Sequence, residues 1–523
     1  MKGKIIGALL IIILFVVGGL GYKLIVPMLS EQQQKATSDA MKVIGTIRIG
    51  IDDWIGYFLL ESPEFKSRMR KDGYLVEIDK NPDIERRMKM LADGRLDFAV
   101  FETSSDILTG VAHDYPGVIT FVIDKSVGGD SIWAVADKVP NLDVFKGNNT
   151  LRVAFTPKSP SHHFFKAASL YFAVPEIIPA PGDPRRIEIN GAEEAYKALV
   201  SGSADVVALW APWGSRIKAL PGKKFIKIMG SEDTEKLIVD NFVTSREVST
   251  KRPEMVQQVH FNYFQTLKYY RDFPDQLIRA IKDVTRDSDD DIKDMLAGVN
   301  WPNLRENCEE WFGIAAPGVK AEEGLVETIE STVKILINAK DFSSNPIPNG
   351  DPYRLIQSKY LQTLYVQDVT SIQSVGRQNS VKTINTLDAK FKPLDESGWK
   401  KLRGVGTKTI YINFAIGSSE LDNDGKQLVD DTTEALKKFP LFRLLINGHT
   451  MVKGDKDENQ QLSLDRAEAV ARYLQVVYNI DPNRMKVVGF GGTQPLAQEK
   501  GESKRAWEYR LPRVEIVLLK EDY

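Results

Sequence analysis

Hydrophobic and polar positions fall into three textures along the 523-residue chain. The first is continuous: after Lys2 and Lys4, residues 5–22 carry no charge, and residues 24–29 continue apolar past Lys23. At about 1.5 Å of rise per residue, such a helix crosses a hydrocarbon core of about 30 Å, with Lys23 snorkelling to the interface. The run is longer than the apolar core of a signal peptide, and no small-residue cleavage motif precedes "SEQQQK". A cleaved leader is the competing reading. Lysines ahead of the run favour a cytoplasmic N-terminus, which leaves the rest of the chain outside the membrane.

The second texture alternates, and it repeats. "TIRIGI" (46–51) returns as "TLRVAF" (150–155), and "LADGRLDFAVF" (91–101) returns as "LVSGSADVVALW" (199–210). Between them lie strand-like "VEID" (76–79) and "IEIN" (187–190). Each copy reads strand, helix, strand, helix, strand, which is βαβ logic and predicts two parallel-sheet lobes. From about 341 the texture changes: "DFSSNPIPNGDPYR" has the Ser, Asn, Pro and Gly of a linker, and "YRLIQSKYLQTLYVQ" reads as a short helix within it. Residues 405–523 then give strand ("KTIYINFAI"), helix, strand ("FRLLINGHT"), long helix, strand ("RMKVVGFGG") and a closing strand ("RVEIVLL").

Composition narrows the function. A length of 523 residues allows about three domains at roughly 100–200 residues each. The 42% hydrophobic and 9% aromatic content fits folded domains rather than disorder. A net charge of −2 argues against nucleic acid as a partner. One cysteine, Cys308, permits no intramolecular disulfide and no zinc cluster, and it reads as an ordinary buried thiol. His162 and His163 are adjacent, so on a helix they diverge and make a poor metal pair. With no nucleophile–base pair and no Gly-rich phosphate loop, the chain reads as a non-enzyme without cofactor or metal.

The order and spacing of "IGIDDWIGYFLLES", "RRMKMLADGRLDFAVFETS", "VAFTPKSPSHHFF" and "ALVSGSADVVALWAPW" resemble the NMT1/SsuA-like periplasmic solute-binding proteins of ABC transporters. The resemblance covers about residues 45–345 and implies a bilobed periplasmic-binding-protein fold, with a solute at the carboxyl ends of the strands between the lobes. It places four loops in the cleft. Asp52, Asp53, Trp54 and Tyr57 offer carboxylates for an amine and rings for stacking; a turn with core aromatics is the plainer alternative. Glu102, Thr103 and Ser104 also read as a helix N-cap. Ser159, Ser161 and His162 open a helix whose N–H groups and dipole suit an anion, or cap it. Trp210 and Trp213 flank Ala-Pro, one expected in the core and one in the cleft. Anion, amine and zwitterion all stay open as solute.

"FAIGSSELD", "GHT-x3-G-x4-N-x2-LS-x2-RA", "GFGGTQP" and "RVEI" fall in the order of the OmpA-like peptidoglycan-binding domain, which the C-terminal segment resembles throughout. Members of that family hold the zwitterionic end of diaminopimelate with an aspartate after "GHT" and an arginine in "LSxxRA", an ammonium needing a carboxylate and a carboxylate needing a guanidinium fork. Carried over, the wall-binding residues are Thr450, Asn459, Leu462, Arg466 and Arg513, inside a frame kept by Gly454 and Ser463. Met451 stands where the aspartate belongs, and Leu511-Pro512 interrupts the family's "NRRVEI". Loss of one charge-assisted hydrogen bond costs about 1.5–3 kcal/mol, so wall binding is expected to be weakened or altered unless Asp455 or Asp457 substitutes.

The expected architecture is thus α/β: one N-terminal transmembrane helix (1–43), a solute-binding-like domain (44–345, with its second lobe about 128–245), a linker with a short helix (346–404), and an α+β OmpA-like domain (405–523). The expected job is to bind a small solute, or a partner, in the interlobe cleft of an inner-membrane protein tethered toward peptidoglycan, with lobe closure signalling to a membrane-protein partner. The alternative is a structural or stator-like part of a membrane complex with vestigial ligand sites. Stator helices carry an ionisable aspartate, and residues 5–22 have none.

Overall fold

The computed structural model describes residues 43–373 and 391–521, apart from 223, 317, 413, 415 and 416. Among these, no helix is long and apolar enough to cross a membrane; the span expected over residues 5–29 lies outside the described residues.

The first lobe is built on β1 (Gly45–Ile51), β2 (Tyr74–Lys80), β3 (Phe98–Glu102) and β4 (Gly117–Ser126). The second lobe follows with β5 (Asp130–Val135), β6 (Val153–Phe155), β7 (Arg186–Glu188), β8 (Val206–Trp210) and β9 (Phe225–Gly230). The chain then returns through β10 (Val239–Ser245) and β11 (Val299–Asn300), giving sheet orders β11-β4-β10-β3-β1-β2 and β7-β6-β8-β5-β9.

The sequence repeat has a physical basis. In each lobe the aspartate before the third repeat strand accepts a hydrogen bond from the arginine backbone N–H of the first strand: Asp97 from Arg48 and Asp205 from Arg152, both at 2.9 Å. Strands β1, β2 and β3 are parallel to one another, as are β6, β7 and β8. The sheets are not wholly parallel, however. β4, β10 and β5, β9 pair antiparallel within them. β10 and β5, each the first strand after a crossing between lobes, run counter to the βαβ strands beside them, whereas β4 and β9, which lead into the crossings, run with them. β10, placed in the second lobe from sequence, is inserted between β3 and β4 of the first-lobe sheet instead.

The helices that bear on the sites are α1 (Ile84–Ala92), α2 (Thr103–Gly110), α3 (Pro160–Phe172), α4 (Ala192–Val200), α5 (Gly324–Asn338) and α6 (Lys359–Gln373). α6 corrects the linker assignment. Its Tyr360, Leu361, Leu364 and Tyr365 are buried in the first-lobe core, where Tyr360 contacts Ser249 and Leu361 lies over buried Cys308.

The C-terminal domain holds β12 (Arg403–Ile410), α7 (Asn423–Lys437), β13 (Arg443–His449), α8 (Lys456–Tyr478), β14 (Met485–Gly489), α9 (Lys504–Arg510) and β15 (Arg513–Lys520). Its sheet order is β12-β15-β13-β14, with only β13 and β14 parallel. α8 lies close on this sheet because Gly448 has no Cβ; one built there would sit 1.9 Å from the Ser463 carbonyl.

This domain does not hang free. Phe439 packs on Phe172 and Tyr171 of α3 at ring distances of 5.2 and 5.6 Å, so the two hydrophobic cores are continuous. Asp143 accepts from the Thr407 N–H (3.0 Å) and hydroxyl (2.8 Å), and Lys520 meets Asp233 at 2.6 Å in the second interlobe crossing.

Candidate functional site

Between the lobes lies a cavity of 280 Å³, lined from the residues that follow the carboxyl ends of β1, β2, β6, β7 and β8. Seven of the twelve residues expected there line it: Asp52, Asp53, Trp54, Tyr57, Ser159, Trp210 and Trp213. A cis peptide joins Ala211 and Pro212 between the two tryptophans; rather than dividing between core and cleft, both line the cavity while packing, partly buried, against the second-lobe core. Trp54 is held by its indole N–H on Asp124 Oδ1 at 3.1 Å and by the absence of a side chain at Gly129, where a Cβ would lie 2.2 Å from the ring.

The other five lie outside the lining. Glu102 caps α2, accepting from Ser105 N–H (3.1 Å) and the Ser104 hydroxyl (2.5 Å). The Thr103 hydroxyl donates to the Val239 carbonyl at 3.0 Å, tying α2 to β10. Ser161 and His162 are buried on the sheet side of α3, with the His162 ring stacked on Phe155 at 4.3 Å. In both stretches the helix start uses its polar residues for capping and packing, while Ser159, the cap itself, stays at the cavity wall. Burial, with Lys166 and Arg186 nearby, pushes the His162 pKa well below the usual histidine range.

Two carboxylates of the predicted set are already neutralised: Asp52 pairs with buried Arg87 at 2.8 Å and Asp53 with Lys80 at 3.4 Å. The unneutralised charge is on residues the sequence reading passed over. Asp130 and Asp240 line the cavity, each almost wholly buried. The Tyr57 hydroxyl donates to Asp240 at 2.6 Å, and Asp124 stands behind, its Oδ2 buried without a hydroxyl or N–H donor. Burial raises all three acids, to about 7 for Asp124 and Asp130, and for Asp240 the neighbouring Asp124 adds to the rise. A signal existed in the sequence: each acid interrupts an apolar strand, as "FVIDKS", "GGDSIWAV" and "LIVDNFV".

The lobes touch across this cavity. Lys158 of the second lobe pairs with Glu85 of α1, its carbonyl accepts from the Ser105 hydroxyl at 2.7 Å, and Ser215 bonds Asp294.

In the C-terminal domain the frame from Gly448 to Arg466 positions α8. The Ser463 hydroxyl accepts from Gly491 N–H and donates to the Gln460 carbonyl, both at 2.8 Å. The Asn459 amide donates to the Lys453 carbonyl (3.1 Å), and Thr450 N–H binds the Gly491 carbonyl (2.9 Å), fixing the loop between β13 and α8. Leu462 is half-buried beside them. Arg466 is buried; its Nε donates to the Ser418 carbonyl (3.1 Å) and its guanidinium lies 4.7 Å over Phe414. Among the described residues no carboxylate pairs with it, and burial lowers its pKa. Arg513 is by contrast consumed, by Glu515 at 2.7 Å and by the Leu511 and Gln494 carbonyls. Met451 is half exposed, and Asp455 is spent capping α8 through the N–H groups of Asp457 and Glu458.

Two mixed α/β lobes joined by paired crossings, with a cavity between them, make a periplasmic-binding-protein type of architecture, and a second, α+β domain is packed onto it. Residues 413–508 match the OmpA family. The chain is 33% identical over 102 residues to outer membrane protein Omp38 of Acinetobacter baumannii, covering 20% of this chain and 29% of that one. It is 35% identical over 106 residues to outer membrane protein A of Bordetella avium (20% and 53%), and 31% identical over 99 residues to the peptidoglycan-associated lipoprotein of Pseudomonas aeruginosa (19% and 55%). The chain therefore spans between 29% and 55% of the length of these relatives. Similar solved structures include the alkanesulfonate-binding protein SsuA of Xanthomonas axonopodis pv. citri bound to MOPS (15% identity, TM-score 0.43, 58% of this chain and 94% of that one). The nitrate-binding protein NrtA of Synechocystis PCC 6803 is another (13%, TM-score 0.45, 63% and 90%).

Proposed function

We propose that this chain is a cell-envelope receptor. Its two lobes enclose a small solute, its C-terminal domain engages peptidoglycan, and its N-terminal apolar run holds it in the inner membrane with the bulk in the periplasm. The observation that carries the receptor function is the 280 Å³ interlobe cavity with aromatic walls at the carboxyl ends of the βαβ strands. A thermal-shift screen across sulfonates, nitrate, amines, amino acids and sugars tests it. A ligand at a hundred times its Kd raises stability by about 2.7 kcal/mol, and no shift with any class would sink the receptor function. Fractionation of the full chain beside one lacking residues 1–42 tests the anchor: only the full chain should stay with inner membranes after carbonate washing.

Arg466 supports the wall engagement. A buried guanidinium with no carboxylate partner among the described residues suits the carboxylate end of diaminopimelate, while Met451 leaves the ammonium end unmatched. Retention on purified sacculi, lost on Arg466→Ala, is the expected result.

A structural or stator-like role is favoured by one observation, the continuous core that fixes the C-terminal domain onto the second lobe. A scaffold would bind sacculi and show no solute-dependent change in melting.

A further inference from the structure

The charge of the cleft is one-sided. No Lys, Arg or His lines the cavity, whereas Asp130 and Asp240 do, and neither forms an ion pair among the described residues. Basic groups near the cleft are engaged elsewhere: Arg87 with Asp52, Lys80 with Asp53, Lys158 with Glu85, and Arg216 with Asp287 and the Trp213 ring.

We propose that the solute is a small organic cation, an amine or guanidine, whose charge is met by Asp130 and Asp240 and whose body is walled by Trp54, Tyr57, Trp210 and Trp213. This rests on the receptor function above and names the chemical class that it takes.

An anion is disfavoured on two counts: it finds no cation in the lining, and it must sit beside two buried carboxylates. A neutral solute brings both acids no counter-charge, so their ionised forms stay costly where they are buried. A cation discharges them, and the aromatic walls add cation–π attraction that strengthens where water is excluded. In the empty site burial pushes Asp130 up to about 7, with Glu102 and Asp52 adding to the rise, and pushes Asp240 up together with Asp124 and Glu102. Ser126 beside Asp130, and the Tyr57 hydroxyl on Asp240, oppose that rise only in part. Cation binding thus displaces protons, so affinity should increase from pH 6 to pH 8.

The test is titration calorimetry and thermal melting of the full chain with choline, putrescine and agmatine, against ethanesulfonate and nitrate, and against glucose. At least one cation should bind, tighter by about tenfold at pH 8 than at pH 6 and with proton release visible as a buffer-dependent heat; the anions and glucose should not bind. Asp130→Asn should raise the Tm of the protein without solute at pH 8, because a buried charge is removed, yet weaken cation binding at least tenfold, and Asp240→Asn should weaken cation binding likewise. Those opposite signs separate lost binding from lost folding. Binding of ethanesulfonate, nitrate or glucose, or cation binding unchanged in both variants, overturns the cationic class and leaves the receptor function standing. Binding of none of the probes overturns the cationic class, and silence across the wider screen removes the receptor function as well.

Discussion

In the interlobe cleft Asp130 and Asp240 stand without a cation; in the C-terminal domain Arg466 stands without a carboxylate. Burial acts on the two regions in opposite directions, raising the acids and lowering the arginine, because in each it disfavours the charged form. Elsewhere the protein pairs its buried charges, as in Arg87 with Asp52 and Arg513 with Glu515. The proposed ligands follow those leftover charges, a cation for the cleft acids and a carboxylate for Arg466. The two proposed sites also differ in that the cleft offers charges of one sign, whereas beside Arg466 the half-exposed Met451 stands where the wall-binding proposal would need a carboxylate.

The largest expected effect breaks the link between the two regions. Phe439 joins the C-terminal core to Phe172 and Tyr171, and Phe439→Ala should cost about 3–5 kcal/mol. Denaturant unfolding should show it; an unchanged midpoint would mean that the two regions are separate bodies.

Next comes pH. Asp106, Asp124 and Asp130 keep their protons up to about 7 when folded but lose them near 4 when unfolded. As pH rises from 6.5 to 8 the folded state gives up protons that the unfolded state has already lost, so stability falls, by about 1 kcal/mol per acid over that window. Buried His163 and His260, lowered to about 3 and about 4, act with the opposite sign and only below about pH 6.5. Melting temperature at low salt should therefore drop between pH 6.5 and 8, and a flat profile would show that the cleft acids are not held protonated.

Two smaller effects sharpen the C-terminal side. Arg466→Ala should reduce the fraction retained on sacculi by about tenfold or more, the worth of a charge-assisted contact of about 1.5–3 kcal/mol. Met451→Asp should raise retention by up to about tenfold by restoring the partner for an ammonium. If Met451→Asp changes nothing while Arg466→Ala abolishes retention, the pocket takes a simple carboxylate rather than a zwitterion.

Much of the fold was legible because its signals are local. The repeat of strand, Gly turn and Asp identified two similar lobes, and the Asp97 and Asp205 hydrogen bonds show why that aspartate recurs. The frame from Gly448 to Arg466 was legible because each residue has a packing duty between β13 and α8, Gly448 for close approach and Ser463 for the loop after β14. The antiparallel crossing strands, the return of β10 to the first lobe and the place of α6 in its core were not legible, since nothing local in "IVDNFVTS" or "LQTLYVQ" says which sheet or core receives it. Loop position marked seven of the twelve expected cleft residues, but Glu102, Ser161 and His162 turned inward for capping and packing.

The sequence by itself determined what each segment can become: periodicity set the elements, and glycines and caps set their ends. Which charges would be left unpaired was decided only in three dimensions. Asp52 and Asp130 are the same residue type in adjoining walls, yet Arg87 arrives from α1 to neutralise one, and among the described residues no cation pairs with the other. Ion pairing depends on which side chains converge within a few ångströms and on how much water is excluded there, and both are properties of the closed tertiary structure.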